Sequence, residues 1–178
     1  MKKQNKVRRI FMVMVKSPYY TVTKDTKMIV EEDSAYYRSS IIEENQTMKD
    51  EKSYSPYKPE QIIDYNCKRY GSTLNGRREV VEEILKSSSK IPIPINPQSG
   101  IYFIPTASTR NKNCVWIAYH QIKHYRKSDE QTLVLFHDGT SELIPTTASV
   151  FDRQFKRASQ VIVHFNRYTL FGHGPKLW

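Results

Sequence analysis

Residues 132–145 read TLVLFHDGTSELIP, two apolar runs on either side of Asp138-Gly139. That dipeptide accepts the positive φ of a tight type I′ turn, so the segment is expected to be a β-hairpin. A hairpin commits the chain to antiparallel pairing, and other segments agree. Residues 26–32 and 35–43 read as strands around the turn-prone Asp33-Ser34, and residues 10–15 as a short strand stopped by Ser17-Pro18. In KIPIPINP, Ile91, Ile93 and Ile95 alternate with prolines. Proline has no N–H for the ladder, which places this segment at a sheet edge. Residues 101–104 form a strand closed by Pro105, residues 115–125 a longer one and residues 161–170 a final one, whereas the polar, acidic stretch 45–56 reads as a loop.

Helical spacing is confined to three places. Over residues 59–70, Pro59 suits the first helical position and Glu60 the positive end of the helix dipole. Ile62, Ile63, Cys67 and Tyr70 form one stripe, Lys68 and Arg69 fill the last turn, and Gly71 can end the helix. Residues 79–86 and 149–158 repeat the pattern, and STLNGRR joins the first two helices as a polar loop. The expected fold class is α+β, a single domain over residues 21–170 dominated by antiparallel β-sheet with two or three short helices. Residues 1–20 read as a basic arm with the first strand, and residues 171–178 as a loose tail.

Charge narrows the partner. The chain of 178 residues carries a formal net charge of +10, with 12% aromatic residues, a composition that fits a folded domain with a basic exterior. The charge is uneven: +6 over residues 1–20, −3 over 21–56, +7 over 57–127 and zero over 128–178. An anionic partner is expected, nucleic acid first. No run approaches the ~20 apolar residues of a membrane span, and residues 10–15 are too short for a signal-peptide core. Cys67 and Cys114 make neither a disulfide framework nor a metal-type pair, which fits a reducing cytoplasm.

The motifs favour binding over catalysis. GSTLNGRR (71–78) has the spacing of a phosphate-cradling P-loop, but Arg77 stands where the lysine should be and Arg78 where a hydroxyl should hold Mg²⁺. The alternative is an exposed loop presenting two guanidiniums, with Lys68 and Arg69 just upstream; Ser72, Thr73 and Asn75 add hydrogen-bonding groups for phosphates. A second basic loop, STRNKN (108–113), offers Arg110 and Lys112. His120 and His124 are four apart but lie on a strand-like segment without an acid or Cys, so no metal is expected. There is no nucleophile elbow, and no cofactor or enzymatic activity is expected. Cys67, on a helical apolar stripe, reads as a small buried hydrophobe. Tyr36, Tyr37, Tyr54, Tyr57 and Tyr70 are aromatic surfaces on which unpaired bases could stack.

The middle of the chain resembles the competence transcription factor family, ComK, of Gram-positive bacteria. The resemblance is carried by Ile63-Asp64, Cys67-Lys68, Tyr70-Gly71-Ser72-Thr73 and Gly76-Arg77-Arg78, then Lys90, Pro92-Ile93, Pro97, Phe103, Pro105-Thr106, Ser108 and Trp116-Ile117. It is strongest over residues 60–118 and continues more weakly to Phe155. It implies a DNA-binding activator of DNA-uptake genes that binds paired A+T-rich boxes in double-stranded DNA as a homo-dimer or higher homo-oligomer, in the cytoplasm at the nucleoid, with RNA polymerase as a further partner and no catalysis. The expected contacts are Lys68, Arg69, Ser72, Thr73, Asn75, Arg77, Arg78, Arg110 and Lys112, with Lys2, Lys3, Lys6, Arg8 and Arg9 as a basic arm of the kind that enters minor grooves. The aromatic–aliphatic–Tyr–Pro tail of members under regulated proteolysis has no match in LFGHGPKLW, so no proteolytic adaptor is expected. The alternative reading is a basic RNA-binding or ribosome-associated module.

Overall fold

The computed structural model describes residues 19–172. In chain order these form β1 (Thr26–Glu31), β2 (Ser39–Glu43), β3 (Ser53–Ser55), α1 (Pro59–Arg69), α2 (Leu74–Leu85), β4 (Ile93–Asn96), β5 (Ile101–Pro105), β6 (Val115–Ala118), β7 (Ile122–Ser128), β8 (Gln131–Phe136), β9 (Ser141–Ile144), α3 (Ala148–Phe165) and α4 (Arg167–Phe171). One antiparallel sheet has the order β3-β2-β1-β6-β5-β4, and a smaller one the order β7-β8-β9. The mixed α+β class expected from the sequence is the one observed, with the proline-bearing segment at a sheet edge.

The six-stranded sheet is the middle layer. Its side chains alternate between two cores with the period of two that a pleated strand imposes. Ile29, Ile41, Phe103 and Trp116 pack with Ile62, Ile63 and Cys67 of α1 and Leu74 and Val81 of α2. Met28, Ile42, Ile104, Val115 and Ile117 pack on the other face with Val134, Phe136 and Ile144 of the small sheet. Burial on both faces explains why β5 and β6 read as unbroken apolar runs. The helix α3 serves both cores: Phe151 and Ala158 lie in the second and Val161 in the first.

The two sheets are also tied by a buried charge. A β-bulge between Thr26 and Met28 takes Lys27 out of the β1–β2 register, and a bulge re-aims the side chain it carries. The Lys27 ammonium is fully buried. It donates to the Gln46 carbonyl at 2.6 Å, Asp138 Oδ2 at 2.7 Å and Thr140 Oγ1 at 2.5 Å, which uses all three of its donors, and it lies 4.8 Å from the Phe136 ring centroid. Asp138 also accepts from the Asn45 and Thr140 backbone N–H groups and the Thr140 hydroxyl. Burial alone would push the Asp138 carboxyl up; the hydrogen bonds from Lys27, Thr140 and Asn45 outweigh it and hold the group well below the usual carboxylate range.

Several expectations are corrected. The segment 115–125 is two strands in different sheets, broken by a 3₁₀ turn at Tyr119–Gln121 where the His120 ring and Gln121 Nε2 both meet the Lys24 carbonyl. The strand expected at 161–170 is helical: α3 runs from Ala148 to Phe165 and α4 follows, because Val161, Ile162 and Phe165 continue the stripe begun by Phe151 and Phe155. The second helix begins at Leu74, so Leu74 to Arg78 of the expected loop are helical. The loop 45–56 contains β3, a short edge strand whose Ser53 and Tyr54 are exposed and carry no apolar pattern. The strand expected over 35–43 begins at Ser39. The β8–β9 turn is a three-residue loop: Phe136 N–H donates to the Thr140 carbonyl and Gly139 alone has positive φ, 86°. A type I′ turn would need positive φ at both central positions. The strand and arm expected within residues 1–18 lie outside the described residues.

Replacing one member of the buried pair strands the other's charge. Lys27→Met is expected to lower stability by ~3–5 kcal/mol in urea unfolding at pH 7. The Asp138 contribution is present above the unfolded carboxyl's pKa of about 3.9 and is lost as pH falls through the depressed folded value. Asp138→Asn should therefore flatten the acid limb of a stability–pH curve measured below about pH 5; parallel acid limbs would contradict this.

Candidate nucleic-acid interface

The basic centre of the chain is organised by the connection between α1 and α2. Gly71 adopts φ 79° in the turn that links them. The Thr73 hydroxyl accepts from the Gly76 N–H at 3.0 Å as N-cap of α2. The Asp64 carboxylate of α1 accepts from the Leu74 N–H at 2.9 Å and pairs with Lys68 at 2.6 Å. Burial opposes the Asp64 charge, but the bonds from Lys68 and Leu74 hold its carboxyl below the ordinary value. These caps satisfy N–H groups that a helix start leaves without partners, and they explain why α2 begins in a stretch that reads as a loop. Cys67 is buried, and burial pushes its thiol up to about 12, with the nearby Arg77 charge opposing.

The expected contact residues divide into groups. Lys68 is exposed but paired with Asp64, and Arg69 is exposed with its guanidinium 5.9 Å from the Tyr65 ring centroid. Asn75 and Thr73 are exposed and Ser72 half-buried at the helix start. Arg77 turns back: its Nη2 donates to the Tyr70 carbonyl at 2.9 Å, and its Nε is buried without a partner. Lys112 reaches Asp33 at 3.2 Å.

Arg78 and Arg110 are brought together. Both line a cleft of about 270 Å³ with Lys90, Ser88, Ser89 and Thr109, floored by Trp116. Arg78 Nη2 lies 2.7 Å from Glu60 Oε1. A partly exposed pair of this kind is worth only ~0.2–1 kcal/mol, so a phosphate oxygen can take the carboxylate's place. Neither Lys90 nor Arg110 has an ion-pair partner among the described residues. Glu82 is the one carboxylate on the cleft wall. Three cations with four side-chain hydroxyls, those of Ser88, Ser89, Ser108 and Thr109, make a donor-rich surface suited to phosphate. The wall at 87–89 is held from α3, where Arg157 donates to the Ser89 carbonyl at 2.8 Å and the Ser87 hydroxyl at 3.2 Å.

A model of the family described as ComK protein matches residues 17–169. The chain belongs to the ComK family. A curated protein, the competence transcription factor of Bacillus subtilis (strain 168), is 31% identical over 113 residues, which cover 63% of this chain and 59% of the relative. The match thus spans about three-fifths of that relative's length. No solved structure matches this ComK family member.

Lys90 lines the cleft but is not among the expected contact residues, since an isolated lysine before an Ile-Pro run carries no cluster signal. Nor was the basic surface of β7 expected, where Lys123, His124, Arg126 and Lys127 are exposed on an edge strand. The density of bases in KHYRK was the available signal.

The capping role of Thr73 is separable from ligand contact. Thr73→Ala is expected to lower stability by about 1 kcal/mol in urea unfolding without ligand.

Proposed function

We propose that this protein is a sequence-specific DNA-binding transcriptional activator of competence genes, acting on paired A+T-rich boxes as a homo-dimer or higher homo-oligomer. The observation that carries the reading is the cleft in which Arg78, Lys90 and Arg110 converge with Ser88, Ser89 and Thr109, on a chain of the ComK family. The resemblance to the Bacillus subtilis competence transcription factor supports the same class.

The chemistry suits duplex DNA. Side-chain cations neutralise backbone phosphates and release counterions, and the hydroxyls donate to phosphate oxygens without reading sequence. A+T tracts have a narrow minor groove with enhanced negative potential, which favours inserted arginines. Arg110, exposed and without an acidic partner, is the group best placed to enter it. Arg69, Lys68 and Asn75 extend the contact along α1 and the start of α2, with Ser72, Thr73 and Arg77 between them and Lys112 on the loop that carries Arg110. Lys2, Lys3, Lys6, Arg8 and Arg9 add charge from the N-terminal arm. RNA polymerase is the further partner an activator needs.

The test is DNA affinity against salt. Replacing Arg78, Lys90 and Arg110 together by Ala should weaken binding to an A+T-boxed duplex and reduce the slope of log K against log salt by up to about 2.7, at ~0.9 per lost phosphate contact. An unchanged slope would remove the cleft from the interface. Structured RNA winning a competition at fixed salt by a wide margin would favour the RNA-binding reading instead.

A further inference from the structure

The opposite side of α2 carries a second, different surface. The α2 and α3 helices enclose an open groove of about 780 Å³. Val80, Ile84 and Val163 give it an apolar lining, and Val80 and Val163 are more than two-fifths exposed. One wall is acidic, with Glu79 and Glu83 from α2; the other is basic, with His164 from α3 and Arg167 at the start of α4. Glu83 is paired with Lys86, whereas Glu79 has no ion-pair partner among the described residues. The Arg167 guanidinium lies 5.9 Å from the Phe171 ring centroid and meets no carboxylate there. Beside the groove, α4 holds Tyr168, Leu170 and Phe171 more than half exposed.

We propose that this face is a self-association surface, occupied by the same face of a second copy. The proposal rests on the homo-oligomer reading above and adds the surface to it. A two-fold contact is isologous, so one patch must supply both halves of every interaction. This patch does: it has an apolar groove and, next to it, apolar side chains that the chain's own groove does not bury. It also has an acidic wall opposite a basic one. Rotating a second copy about a two-fold axis sets Tyr168, Leu170 and Phe171 of each protomer towards the groove of the other. The same rotation sets Glu79 of each against Arg167 of its partner. A surface with both charges on one patch is matched by its own copy, whereas a polyanion is repelled by Glu79 and Glu83.

Sedimentation equilibrium of the full chain tests this, with thermal melts to check folding. The wild type should dimerise. Val163→Asp, and Leu170→Ser with Phe171→Ser, should each raise the dimer dissociation constant at least tenfold. Glu79→Arg and Arg167→Glu should each weaken association, and the double variant E79R/R167E should recover most of the loss, because the swap restores both contacts. A wild-type chain that stays monomeric would overturn the surface together with the homo-oligomer reading. A dimer insensitive to these variants, with no recovery in the double swap, would overturn the surface alone. Leu143→Ser, at an exposed apolar position on β9, should leave the dimer unchanged; if it alone dissociates the dimer, the interface lies on the small sheet.

Discussion

The Lys27 ammonium sits where the two sheets meet, and much of the architecture depends on its being satisfied there. A lysine with no exposed surface costs several kcal/mol in desolvation unless its donors are used. Here three acceptors from the 46 region, the β8–β9 turn and Thr140 surround it. The bulge that aims Lys27 away from its own ladder, the tight loop that delivers Asp138 and the Asn45 N–H that shares Asp138 all serve one contact. That contact sets the small sheet against the middle layer. The small sheet in turn supports α3 through Phe136, Phe151 and Ala158, and α3 holds the 87–89 wall of the basic cleft through Arg157. A buried charge thus reaches the candidate site through packed elements.

The sequence was most readable where local chemistry and tertiary burial agree. The β8–β9 hairpin, α1 with Pro59 at its start and the proline-bearing edge strand follow from turn, capping and ladder rules that need no knowledge of neighbours. It was least readable where a neighbour decides. Residues 115–125 look continuous, but the chain leaves one sheet and enters another at Tyr119–Gln121, and only the other strands reveal the corner. Val161 to Val163 are β-branched and favour a strand, yet burial of Val161 against the first core makes them helical. Asp138 was legible as a turn residue and not as the partner of a lysine far away in the chain.

The site was partly legible for the same reason. Charge clustering pointed to Arg77, Arg78, Arg110 and Lys112, but clustering along the chain does not say which cations converge. The fold turns Arg77 onto the Tyr70 carbonyl, pairs Lys68 with Asp64 and Lys112 with Asp33, and gathers Arg78, Arg110 and Lys90, which was not among the expected contacts. The α2 helix then has two working faces: Arg78 and Glu82, one turn apart, line the cleft, while Glu79, Val80 and Glu83 line the groove shared with α3. On the readings proposed above, one short helix links phosphate contact to self-association, which suits a protein that must place two copies on paired boxes.

On the proposed reading, the cleft of Arg78, Lys90 and Arg110 faces DNA. The only cysteines in the sequence, Cys67 and Cys114, are both buried, so a photo-cross-linker attached to an introduced cysteine will report from one place. Cross-linking to an A+T-boxed duplex from Ser89→Cys or Thr109→Cys, on the cleft rim, is the direct measurement. With the cleft on DNA, efficient, salt-sensitive cross-links are expected from both positions and none from Val163→Cys in the groove between α2 and α3. Cross-links from the groove and none from the rim would contradict that reading.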